Sequence, residues 1–154
     1  MTILGIDPGT ASVGYAVVSG TKQRPISHEF GILKTLPTSK KMAVFRLLEI
    51  ATDLEKIITK HKPNKAVVED LFFFKNQKTI IEVAQSRGMI LYLLTKNGVE
   101  VTEVTPLQVK QTLCGYGRAS KLQMQKMVQK IFGFEHIPKP DDAADSLAIA
   151  WWGL

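Results

Sequence analysis

Apolar positions switch between strand and helix period five times along the chain. Residues Thr2–Asp7 form a short β-rich run that stops at Pro8-Gly9, a turn signal. A second strand is predicted over Gly14–Ser19 and a third over Ser27–Thr35, and the short links between them predict an antiparallel meander. From Ser39 to His61 the period becomes helical, with Val44, Leu47, Leu48, Ala51, Leu54 and Ile58 on one stripe. Pro63-Asn64 ends that helix, and Ala66-Val67-Val68 is a brief β-branched run closing on Glu69. A second helix is predicted over Lys78–Lys96, stopped by Asn97-Gly98, and a fifth strand over Val99–Val104. Thr105-Pro106 opens a helix toward Cys114, and Ser120 with Gln123 makes a capping box for another that stops at Gly133. After the stiff Pro138-Lys139-Pro140 link, a last helix runs from about Asp141 to Trp152. The order predicts an α/β fold with a five-stranded mixed sheet flanked by helices. No repeat or linker breaks it, so residues 1–154 are expected to form one domain.

The second helix carries Ile80, Ile81, Val83, Ala84, Met89, Ile90, Leu91, Tyr92, Leu93 and Leu94, more than one stripe holds. One face is expected on the sheet, and the other is divided between further core and a second subunit.

Composition excludes several classes. The single cysteine, Cys114, forbids an internal disulfide, and it and three scattered histidines cannot build a common zinc site. No apolar run is long enough to span a membrane, and the N-terminus reads as a strand and not a signal peptide, so a cytoplasmic setting is expected. The net charge is +6, and it is local. Between Val104 and Phe134 there is no acid, while Lys110, Arg118, Lys121, Lys126 and Lys130 fall there. Such a segment suits a polyanion, although Lys126 and Lys130, one helical turn apart, read as a solvated face.

The candidate chemistry lies in the carboxylates. Asp7 and Glu69 close the first and fourth predicted strands. A right-handed crossover that sets these strands side by side makes the two acids neighbours at the sheet edge where open α/β folds place their sites. Asp142 and Asp145, three apart on the last helix, bring the count to four if that helix leans on the same edge. Converging carboxylates repel, and hard divalent cations resolve the repulsion with oxygen ligands. Two such ions about 4 Å apart activate water and stabilise a leaving oxygen in phosphodiester cleavage. Spacing leaves Asp141 open beside Asp142, because Asp141 and Asp145 also share a face, and Asp70 adds a further acid beside Glu69.

These residues resemble a known family. Ile6-Asp7-Pro8-Gly9 with Gly14-Tyr15, Val68-Glu69, and the run Asp142 to Ala150 are similar to the RuvC family of bacterial Holliday junction resolvases. The match continues, colinear, through Phe72, Lys75-Asn76, Gln85-Ser86-Arg87-Gly88, Gln108-Val109-Lys110-Gln111 and Gly115-Tyr116-Gly117. The resemblance implies an RNase H-like fold, a homodimer, and a nuclease that nicks opposite strands of a four-way junction, leaving 5′-phosphate and 3′-hydroxyl ends. It implies that Asp7, Glu69, Asp142 and Asp145 are catalytic and hold two Mg²⁺, for which Mn²⁺ substitutes. It implies DNA contacts at Phe72, Lys75, Asn76, Arg87, Lys110, Arg118 and Lys121, with Lys110 and Lys121 near the scissile phosphate, and work alongside the branch-migration proteins RuvA and RuvB. Phe72 stays divided between core and junction contact, and Asp70 stands where the family often has an uncharged residue. Competing readings are an RNA–DNA hybrid hydrolase, an actin-like ATPase suggested by Asp7-Pro8-Gly9-Thr10, and a junction-binding module with a degenerate site.

Overall fold

The computed structural model describes residues 1–9, 12–34, 43–70 and 77–154. Among these residues ten elements follow in the order β1 (Thr2–Asp7), β2 (Ser12–Thr21), β3 (Arg24–Lys34), α1 (Ala43–His61), β4 (Lys65–Glu69), α2 (Gln77–Lys96), β5 (Glu100–Val104), α3 (Pro106–Cys114), α4 (Lys121–Phe132) and α5 (Asp141–Trp152). The strands form one mixed sheet in the order β3-β2-β1-β4-β5. β1 pairs antiparallel with β2 and parallel with β4, and β4 pairs parallel with β5.

Strand alternation separates two cores. Leu4, Ile6, Ala66 and Val68 face α1 and α2, where Ile50, Leu54, Ile90 and Leu94 meet them. Ile3 and Val67 face the other way and pack with Leu147, Ile149 and Val128 of α5 and α4. Gly5 is required where α5 crosses β1, because a Cβ there would stand 2.4 Å from Ser146 O. Gly14 does the same on β2, where a Cβ would lie 2.2 Å from Asp142 O. The sheet thus holds the first turn of α5 against the carboxyl end of β1.

The structure extends the predicted meander. β2 begins at Ser12 and runs to Thr21, and β3 begins at Arg24, because the strands pair up to a tight Lys22-Gln23 turn. Polar residues on a half-exposed edge strand hide that length from hydrophobic pattern alone. The described part of α1 starts at Ala43, so the predicted start at Ser39 lies outside the described residues. Its buried stripe is Ile50, Leu54, Ile57 and Ile58, while Val44 and Leu48 of the predicted stripe are exposed. On α2, Val83, Ile90, Leu93 and Leu94 are buried, and Ile81 and Tyr92 face outward. Among the described residues no helix is long and apolar enough to cross a membrane.

Candidate active site

Asp7 ends β1 and Glu69 ends β4. The pairing of Ile6 with Val68 sets the two acids side by side at the carboxyl edge of the sheet. Asp142 and Asp145 come from the first turns of α5, which Gly14 lets approach. Asp7, Asp142 and Asp145 each present an oxygen within 4.8 Å of the other two. Glu69 stands beside Asp7, whose charge is among the causes that raise its carboxyl.

Electrostatics record the crowding. Burial, then Asp145 and Asp142, push the Asp7 carboxyl up to about 7. Burial, then Asp7 and Asp145, push Glu69 up to about 8. Burial also raises Asp145, with Lys121 opposing it. Burial pulls the Lys121 ammonium down, but Asp145, Asp141 and Asp142 outweigh it and hold it above the usual lysine value. Lys121 Nζ stands 3.3 Å from Asp145 Oδ2 and 3.5 Å from Asp141 Oδ2. A cavity of about 220 Å³ opens here, lined by Glu69, Asp145, Lys110, Lys121, Pro106 and Met124 among others.

The donor set is all oxygen, anionic and part-buried, with more negative charge than Lys110 and Lys121 neutralise. It fits hard divalent cations and offers no soft ligand. The geometry separates the two first-turn acids of α5. Asp142 is in the triad, while Asp141 is turned toward α4, where it accepts a 2.9 Å hydrogen bond from Gln125 Nε2. Asp70 points away to Arg87, whose Nη2 lies 3.2 Å from Asp70 Oδ1.

Among the described residues, the cations read as DNA contacts divide into three groups. Lys110 and Lys121 line the cavity. Arg118 is exposed on the link between α3 and α4. Arg87 is ion-paired with both Asp70 and Glu103, and its side chain is only 17% exposed. Phe72, Lys75 and Asn76 lie outside the described residues. Two polar partners escaped the sequence reading. Ser12 Oγ donates to Asp142 Oδ2, and Gln125 is the buried partner of Asp141. Neither has a local sequence signal, since both act across the tertiary fold.

Comparison with known proteins gives a consistent result. A family model described as crossover junction endodeoxyribonuclease RuvC matches residues 3–152. A protein of that description from Fusobacterium nucleatum is 49% identical over 150 residues, covering 97% of this chain and 77% of its own. Another from Halothermothrix orenii is 50% identical over 152 residues, covering 97% of this chain and 90% of its own. Among solved structures, T. thermophilus RuvC in complex with Holliday junction substrate superposes with a TM-score of 0.92 at 31% identity, covering 99% of this chain and 92% of that one.

Proposed function

The chain belongs to the RuvC family, and from that premise we propose that it is a Holliday junction resolvase cutting by metal-assisted phosphodiester hydrolysis. The observation that carries the mechanism is the convergence of Asp7, Asp142 and Asp145 within 4.8 Å at the sheet edge, with Glu69 at the end of the strand beside Asp7. These four acids are the residues to hold the metal, two Mg²⁺ per site with Mn²⁺ able to substitute. When bound, such ions supply Lewis acidity for an attacking water and a leaving 3′ oxygen.

The chain's own groups do the rest. Asp7 and Glu69 lie on adjacent parallel strands, so the rigid sheet fixes their separation. Asp142 and Asp145 come from α5, so the cluster also draws on an element outside the sheet. Lys110 and Lys121 line the cavity from α3 and α4, where an ammonium holds the scissile phosphate and offsets charge that builds on its oxygens. Arg118 meets backbone phosphates further along the acid-free segment. Phe72, Lys75 and Asn76 are read as junction contacts on the family motif alone.

The same reading includes a homodimer, since paired nicks in opposite strands need two sites related by symmetry. Exposed Phe45 and Leu48 on α1 and Ile81 and Tyr92 on α2 support a covered face there. It also includes action with RuvA and RuvB, 5′-phosphate and 3′-hydroxyl products, and work in the cytoplasm, where chromosomal junctions arise.

The test is cleavage of a synthetic four-way junction with Mg²⁺ or Mn²⁺, with both nicks mapped, beside linear duplex and RNA–DNA hybrid controls. Symmetric nicks on the junction are expected. Preferential cutting of the hybrid, or no cutting with any divalent cation, would sink the proposal.

A further inference from the structure

Leu107, Tyr116 and Leu122 are large apolar side chains left 49%, 47% and 52% exposed. They belong to the start of α3, the link that follows it, and the first turn of α4. The same three pieces carry Lys110, Arg118 and Lys121, two of which line the catalytic cavity. No acid occurs between Val104 and Phe134, so the only charged side chains in their segment are cations.

The link is held at both ends. Gly115 takes a left-handed φ of 81° and its N–H donates to Gln111 O, which ends α3. Ser120 and Gln123 form a reciprocal capping box, which starts α4. Between them Gly117 closes on α3, where a Cβ would meet Leu107 Cδ1 at 2.2 Å. Tyr116 is therefore presented on a braced turn. A turn braced in this way loses little backbone freedom on binding.

Exposed apolar side chains interleaved along the chain with cations, two of which line the catalytic cavity, fit one class of partner. Nucleic acid offers phosphates to the cations and base faces to the aromatic. We propose that Tyr116 stacks on a base of the junction beside the cut strand, with Leu107 and Leu122 packing around it and Arg118 on the neighbouring backbone. The inference rests on the resolvase reading and adds a base contact from the α3–α4 link.

The test is binding of a fluorescent four-way junction in EDTA over a range of salt, with the full chain. Tyr116→Ala is expected to weaken binding about five-fold or more, as loss of one stacked base does, without changing the salt dependence. Arg118→Ala is expected to lower the slope of log affinity against log salt by about one, as loss of a phosphate contact does. Tyr116→Trp is expected to restore affinity. If the wild type binds and Tyr116→Ala binds equally well, or if Tyr116→Ala lowers the slope as Arg118→Ala does, the base contact is wrong. A change in oligomeric state by light scattering without DNA would assign the patch to a second copy of the chain and overturn the proposal. A wild type that neither binds nor cuts junctions removes the resolvase reading, and this inference with it.

Discussion

Ser12 Oγ lies 2.9 Å from Asp142 Oδ2 and donates to it, joining the start of β2 to the first turn of α5 across 130 positions. The bond occupies one lone pair of Asp142 and restrains the rotation of a carboxylate that also presents an oxygen to Asp7 and Asp145. Ser12 is thus a positioning residue. Ser12→Ala is expected to weaken Mn²⁺ binding three- to ten-fold in calorimetry, about 1 kcal/mol for one such bond. Ser12→Thr keeps the hydroxyl and should keep the affinity. Junction binding in EDTA should not change. An unaltered metal isotherm for Ser12→Ala would show the bond to be incidental.

The raised carboxyls give the metal-free protein a defined pH response. Asp7 sits at about 7 and Glu69 at about 8, both above the ordinary carboxylate range. The folded state therefore holds more protons than the unfolded chain between about pH 4 and pH 8. Stability from this source is complete below the unfolded values and is lost as pH rises through the folded ones. Melting temperature in EDTA should fall by several degrees from pH 5 to pH 8.5. Saturating Mg²⁺ should restore most at the alkaline end, where all the acids are charged. Asp7→Asn removes one member of the cluster and should flatten the EDTA profile while abolishing cleavage. An EDTA profile that rises across this window would contradict the crowded-acid description.

Much of this site can be read before folding because its two sheet acids follow strand logic. Asp7 precedes Pro8-Gly9 and Glu69 closes a β-branched run, so their place at strand ends is a local property. The capping box of Ser120 and Gln123 is equally local, and the structure forms it. The roles of Asp141 and Asp142 are not legible in this way. Both are in the first turn of α5, and only the position of α4, with Gln125 buried against it, draws Asp141 aside. The partners of Arg87 come from the end of β4 and from β5, so its engagement depends on strand order and not on the helix that carries it.

Arg87 offers a direct contrast between a structural tie and a DNA contact. It spans Asp70, next to Glu69, and Glu103 on the adjacent strand, and so brackets the end of β4. Its partners' side chains are 44% and 49% exposed, which reduces the worth of each pair through solvent screening. Arg87→Ala is expected to cost about 1 kcal/mol in urea unfolding with EDTA. If Arg87 acts through this bracket, junction binding keeps its salt slope. If it reaches a phosphate, the slope falls by about one. Measuring both quantities on the same variant separates the roles.

Two glycine substitutions should move stability in opposite directions. A Cβ at Gly14 would press within 2.2 Å of Asp142 O, a backbone atom that yields only if α5 shifts. Gly14→Ala is expected to cost about 1–3 kcal/mol or more, as overpacking does, and to spread the acid triad. Metal affinity should fall with stability. Gly88 lies exposed inside α2, and a Cβ added there would meet nothing within 4 Å. Gly88→Ala is expected to stabilise by about 0.5–1 kcal/mol, because alanine loses less backbone freedom on entering a helix. Urea unfolding of the two variants, with Mn²⁺ calorimetry on the first, checks both signs. A neutral Gly14→Ala with unchanged metal binding would mean that α5 does not depend on its close approach to β2.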